Sequence, residues 1–93
     1  MSFWTYMLHC GDCSFYVGHT DNIEARMAAH VSGSIPGYTR SRLPVALVWS
    51  EQFSTRLEAL AMERRIKGWS RAKNLALIRG DWNLIGELAK GKK

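Results

Sequence analysis

The chain has little cysteine, no long apolar run and a shortage of acid. Its two cysteines among 93 residues stand three positions apart and cannot form the disulfide framework of a small secreted domain, so a reducing, cytoplasmic setting is expected. No apolar stretch approaches the ~20 residues needed to cross a bilayer. The start lacks a basic segment followed by an apolar one, so neither a membrane association nor export is expected. No repeat and no low-complexity linker interrupts the chain. This length allows one core and no second, so residues 1–93 read as a single domain. Eight Asp plus Glu against thirteen Lys plus Arg leave a net charge of +5. The excess gathers in the second half, at Arg64, Arg65, Lys67, Arg71 and Lys73, with a basic tail from about residue 89 that includes Lys90, Lys92 and Lys93. That balance suggests a polyanionic partner, most often nucleic acid.

Local patterns order the elements. Phe3–His9 and Ser14–His19 are rich in aromatic and β-branched residues around the turn chemistry of "CGDC", which predicts a hairpin. In "TDNIEARMAAHVSG", Asp21 offers an N-cap with Glu24 three residues on, Gly33 a stop, and Ile23, Met27 and Val31 an apolar stripe. "SGSIPGYTRSRLP" reads as a loop. "VALVWSEQF" reads as a third strand, expected to be the most buried because its first half is continuously apolar. Thr55 and Glu58 suggest a capping box for a helix with Leu57, Leu60 and Ala61 on one face. Ser70 and Gly80 bracket another helix, and Asp81 opens a last short one. Strand, strand, helix, strand, then helices predicts an α+β fold, a small three-stranded antiparallel sheet flanked by helices.

The hairpin raises a question of parity. Tyr6 and Tyr16 lie one on each strand. A two-residue turn at Gly11-Asp12 would set Tyr6 opposite Val17 and throw the tyrosines to opposite faces. A three-residue turn with a bulge would bring them to the same face and put Cys13 where glycine is usually preferred. The odd-numbered turn is the expected one. The thiols of "HCGDC" also have the spacing of half a zinc site, but no second pair exists and His19 and His30 lack ligand-like spacing, so a plain turn is the preferred reading.

"TYM", followed ten residues later by "YVG", resembles the paired motif of the GIY-YIG nuclease superfamily. "DNIEARMAAH" is similar to its first helix and "LEALAME" to the helix that carries its metal-binding glutamate. "YTRSRLPVALVW" and "IKGWSRAKNLALIRGDW" resemble the small stand-alone bacterial branch of that superfamily. The resemblance implies a metal-dependent endonuclease acting on DNA, duplex or branched, with Mg²⁺ or Mn²⁺ as cofactor; with no appended recognition domain expected, specificity is to come from DNA shape, from a partner protein, or be low. By the same resemblance Tyr6 accepts a proton from the attacking water and Tyr16 orients water or phosphate. Arg26 grips the scissile phosphate, His30 relays the proton or bonds a tyrosine hydroxyl, and Glu63 holds the cation. Phosphodiester hydrolysis needs each of these services, and a phenol of ordinary pKa about 10 needs nearby positive charge to serve as a base.

Gly18 is expected to keep the surface low for backbone approach, and Thr39, Arg40, Arg42, Lys67, Arg71 and Lys73 to contact phosphates. Trp49, Trp69 and Trp82 read as core or helix-packing residues. The family often carries a late asparagine, for which Asn74 and Asn83 both qualify. The first motif departs from the family name, with Thr5 and Met7 around the tyrosine. Each residue also has a plainer reading: strand aromatics, a solvated helix face, or an i,i+4 pair of Glu63 with Lys67. The competing function is a non-catalytic nucleic-acid-binding module on the same scaffold, indifferent to Mg²⁺ and to loss of Glu63. A partner-docking domain would show no special affinity for nucleic acid.

Overall fold

The computed structural model describes residues 2–34 and 39–90, the last three of these by backbone alone. Residues 35–38 of the expected loop, and Lys92 and Lys93 of the expected tail, lie outside the described residues. Strands β1 (Phe3–His9), β2 (Phe15–Thr20) and β3 (Ala46–Phe53) form one antiparallel sheet in the order β2-β1-β3. Helices α1 (Ile23–Ser32), α2 (Arg56–Lys67), α3 (Arg71–Arg79) and α4 (Trp82–Lys90) complete the α+β fold, with a short 3-10 turn at Arg40–Arg42.

Strand alternation divides the apolar residues between two faces. Met7 and Val17 face Met62 and Ile66 of α2, Ala76 and Leu77 of α3, and Ile85 of α4. Tyr6 and Leu8, with Cys10 and Val45, meet Tyr16 and the α1 residues Ile23 and Met27. Thr5 is wholly buried, and its hydroxyl donates to the carbonyl of Ala59 at 2.7 Å, fastening α2 to the central strand. A threonine beside the first tyrosine thus has a structural task that glycine could not perform.

The turn is the odd-numbered one. Tyr6 pairs with Gly18 and Leu8 with Tyr16, and the Cys10 amide donates to the Ser14 carbonyl at 2.9 Å around the loop Gly11-Asp12-Cys13. Cys13 takes φ 69°, in the left-handed region where glycine is usually found. Asp12 accepts from the Ser14 amide and hydroxyl, which holds its carboxyl below the usual carboxylate range. Cys10 is buried and Cys13 exposed, both as free thiols.

Helix boundaries follow side-chain caps, with one displacement. Thr55, Ser70 and Asp81 accept from the amides of Glu58, Lys73 and Leu84, and Gly33 and Gly80 close α1 and α3. The cap of α1 is Asn22 rather than Asp21: its Oδ1 accepts from the Ala25 amide at 3.1 Å, while Asp21 turns to Arg56. The reciprocal half of the α2 box is also altered, because the Glu58 carboxylate accepts from Ser54 at 3.2 Å.

Four expectations of burial are corrected. Strand β3 is an outer strand with Leu47 exposed, since β1 takes the centre by pairing on both sides. The inward face of α2 is Ala59, Met62, Glu63 and Ile66, leaving Leu57 76% exposed, because the helix lies over β1 and β2 rather than on its own apolar stripe. On α1 the buried position is His30, and Val31 is 62% exposed. Trp49 and Trp69 pack against the core, but Trp82 opens α4 half-exposed while Leu84 and Ile85 turn inward.

The strain at Cys13 makes a stability prediction. A side chain in the left-handed region costs roughly 1–3 kcal/mol, part of which glycine returns through its greater freedom in the unfolded chain. Cys13→Gly is expected to stabilise the fold by about 1 kcal/mol, raising the thermal midpoint by about 4–8 °C, read by circular dichroism under reducing conditions.

Candidate active site

The turn parity gives Tyr6 and Tyr16 a common face. Tyr6 is only 1% exposed, and its ring crosses directly over Gly18: a Cβ there would meet Tyr6 Oη at 2.6 Å and Cζ at 2.8 Å. Gly18 therefore makes room for the phenol itself, a correction to the expectation of a low surface for a polynucleotide backbone. The ring centroids of the two tyrosines lie 6.4 Å apart, and the His30 ring lies 5.8 Å from Tyr6 and 5.4 Å from Tyr16.

A buried chain of hydrogen bonds sets the phenol. Tyr6 Oη lies 3.0 Å from His30 Nε2, and His30 Nδ1 lies 2.8 Å from Thr39 Oγ1. A neutral phenol donates to Nε2, which assigns the proton of the imidazole to Nδ1 and makes Thr39 the acceptor. Thr39 is thus not a surface contact for phosphate; it is 3% exposed and fixes the histidine from behind. Burial pushes Tyr6 well above the ordinary phenol value, and the neighbouring Tyr16 and Glu63 add to the rise while Arg26 opposes it. Burial, then the charge of Arg26, pushes His30 below the ordinary histidine value. At neutral pH both partners are uncharged, with the proton on the phenol.

Tyr6 reaches solvent through a cavity of about 260 Å³, also lined by Tyr16, Gly18, Arg26 and Glu63. The cavity lies beyond the outer edge of β2, between α1 and α2. It collects five of the expected residues, with His30 and Thr39 immediately behind them. Lys67 joins through Glu63: its Nζ lies 2.7 Å from Oε2, while His19 Nδ1 engages Oε1. Glu63 is 8% exposed; burial pushes its carboxyl up, but the contacts with Lys67 and His19 outweigh this and leave it below the usual range. His19, Asp21 and Arg56 also line the cavity and were not anticipated as site residues. Alternation could have placed His19 on the face opposite Tyr16 and Gly18, toward α2, but no local signal connects it to a carboxylate 44 positions away.

The other expected cations stand elsewhere. The Arg42 guanidinium pairs with Asp12 at 2.9 Å while its backbone carbonyl accepts from the Gly11 amide, and Arg71 donates to the Cys13 carbonyl at 2.8 Å with its guanidinium over the Phe15 ring. Both hold the hairpin turn. Lys73 lies over Trp69, and Arg40 is exposed on the short 3-10 turn. Of the two asparagines, Asn74 borders a second cavity of about 290 Å³ with Tyr16 and Lys67. Its buried Oδ1 has no hydrogen-bond partner among the described residues. Asn83 is exposed on α4.

Among the described residues no cluster of three or more His, Cys, Asp or Glu side chains could cage a metal. A hard cation that keeps several waters and shares phosphate oxygens requires only one or two carboxylates. The ionised Glu63 at the cavity wall, with the half-exposed Lys67 as its removable counter-ion, fits such a cation.

Residues 2–76 match the model of the GIY-YIG catalytic domain; α4 lies beyond the matched segment. The chain is 44% identical over 75 residues to a UPF0213 protein of Staphylococcus haemolyticus, spanning 81% of this chain and 92% of that one. It is 43% identical over 75 residues to a UPF0213 protein of Natronomonas pharaonis, spanning 81% and 88%. The solution structure of a UPF0213 protein from Bacillus halodurans superposes with a TM-score of 0.56 at 37% identity, covering 85% of this chain and 84% of that one. A protein from E. faecalis superposes at 0.59 and 35% identity, covering 86% and 85%. With its paired tyrosines on one face of the hairpin and its family match extending from β1 into α3, the chain belongs to the GIY-YIG catalytic-domain family and is a nuclease-family protein.

Proposed function

We propose that this protein is an endonuclease that hydrolyses DNA phosphodiester bonds with a divalent cation, Mg²⁺ or Mn²⁺. The observation that carries the reading is the Tyr6–His30 hydrogen bond, whose phenol opens into the same cavity as Arg26 and Glu63. The cavity combines a guanidinium suited to a phosphate with a carboxylate suited to a cation, and membership of the nuclease family favours DNA as the polynucleotide.

The proton inventory supports a relay. A neutral phenol is a poor base, but Tyr6 can accept a proton from water while passing its own to His30 Nε2, which is neutral and presents a lone pair. The water oxygen then bonds to phosphorus, the bond to the leaving oxygen breaks, and that oxygen takes a proton from solvent. Arg26 stabilises the charge on the non-bridging oxygens, and Tyr16 orients water or phosphate. Glu63 would hold the cation, which supplies positive charge to phosphate and leaving oxygen when bound. Residues 1–93 would act as one nuclease domain, with specificity supplied by DNA shape or by a partner protein, or else low.

Tyr6→Phe keeps the ring over Gly18 and removes only the hydroxyl. It is expected to cut the rate on labelled duplex or branched DNA by roughly a hundred- to ten-thousand-fold, the usual contribution of a positioned proton-transfer group, while binding is retained. Binding without cleavage by the wild-type protein on every substrate would favour the non-catalytic module.

Glu63→Gln preserves volume and is expected to lower cleavage by roughly a hundred- to a thousand-fold and to abolish its dependence on Mg²⁺. Wild-type cleavage by this variant in a clean preparation would remove the cation from the assigned site.

The pH profile follows from the directions of two shifts. His30 accepts only when neutral, and its pKa is lowered; Glu63 holds a cation only when ionised, and its pKa is lowered too. Cleavage is expected to stay level as pH falls from 8 to the ordinary histidine value of about 6.5, and to decline only below it. Stability carries the same sign. The unfolded chain protonates His30 first, so stability rises with pH between the lowered folded value and about 6.5, then levels. Initial rates and thermal midpoints from pH 5 to 8 check both.

A further inference from the structure

Two guanidiniums line the cavity, and only Arg26 has a use so far. Arg56, the first residue of α2, reaches the cavity across the Phe3 ring, with its Cζ 5.0 Å from the ring centroid. Its partner is Asp21 at 3.6 Å, with the two side chains 56% and 50% exposed. An ion pair that long and that exposed adds almost nothing to stability. Asp21, however, brings negative charge to the wall of a cavity suited to phosphate, and Arg56 offsets it. Arg56 and Glu63 are seven residues apart, close to two helical turns, so they share a face of α2 about 10.5 Å apart along its axis. A polynucleotide backbone lying along that face would meet the carboxylate first and the guanidinium beyond it.

We propose that Arg56 is a phosphate-binding residue for a phosphate flanking the one to be cut, and that Asp21 is its resting counter-ion, displaced when the backbone binds. The Phe3 ring holds the guanidinium plane in place in both states. This rests on the nuclease reading and extends it from one phosphate to a stretch of backbone. It also gives the site a direction, since the flanking contact lies on the α2 N-terminal side of the scissile position.

The test is a salt titration of binding to a labelled DNA duplex without divalent cation, followed by cleavage with Mg²⁺. Arg56→Ala is expected to flatten the log–log salt slope by about 0.9, the amount for one lost phosphate contact on duplex DNA, and to weaken binding several-fold. Asp21→Asn, which leaves Arg56 in place and frees it, is expected to tighten binding several-fold. Arg79→Ala, which removes the same charge outside the cavity, is expected to leave the slope near that of wild type.

Arg56→Ala with the wild-type slope, or flattening equal to that of Arg79→Ala, overturns the inference while cleavage by wild type leaves the nuclease reading intact. A wild-type protein that neither binds nor cuts overturns both. If Arg56→Ala lowers the thermal midpoint sharply, Asp21→Asn decides: unchanged affinity means that the pair is structural only.

Discussion

The hydrogen bond between a buried phenol and a buried imidazole sets the terms for everything around it. Neither ring can lose its partner inside the protein without leaving a polar atom unsatisfied, at about 1–3 kcal/mol. Each is therefore held by further groups. His30 is fixed by Thr39 from behind, and Tyr6 by the absence of a side chain at Gly18. The consequence is a hydroxyl that cannot wander: Tyr6 belongs to the core by exposure and to the cavity by position.

Electrostatics complete the picture with opposed tendencies. Burial disfavours charge on Tyr6, His30 and Glu63 alike, yet among the described residues only Glu63 has a close ammonium, that of Lys67, which with the contact from His19 holds its carboxyl below the usual range. The site thus stores one fixed negative charge and two neutral proton carriers, flanked by two guanidiniums. Such a site gains positive charge readily and proton mobility on demand, which suits the proposed chemistry. Lys67 is the counter-ion of one carboxylate oxygen and is itself half-exposed, while His19 engages the other oxygen.

Much of this was legible along the chain because the signals are local. Caps at Thr55, Ser70 and Asp81, stops at Gly33 and Gly80, and the parity of the hairpin each involve residues a few positions apart. The ordered motif residues led to the family and to five of the cavity residues. What failed depended on neighbours distant in sequence. The apolar run of β3 gave no sign that β1 would take the centre of the sheet, and the apolar stripe of α2 did not reveal that the helix would turn Glu63 inward. Nothing local joins Thr39 to His30 across a loop, His19 to Glu63 across 44 positions, or Arg56 to Asp21. These are meetings of elements, and only packing creates them.

The three-residue turn has one more implication, for what evolution can do with this hairpin. Surface turns usually accept insertions and deletions freely. Here a change of one residue between Cys10 and Ser14 would shift the β2 register and rotate Tyr16 and Gly18 together to the opposite side of the sheet, placing a side chain under the Tyr6 ring. The tip of the hairpin can vary in identity but not by a single residue in length, because the number of residues between Cys10 and Ser14 decides which side of the sheet Tyr16 and Gly18 occupy.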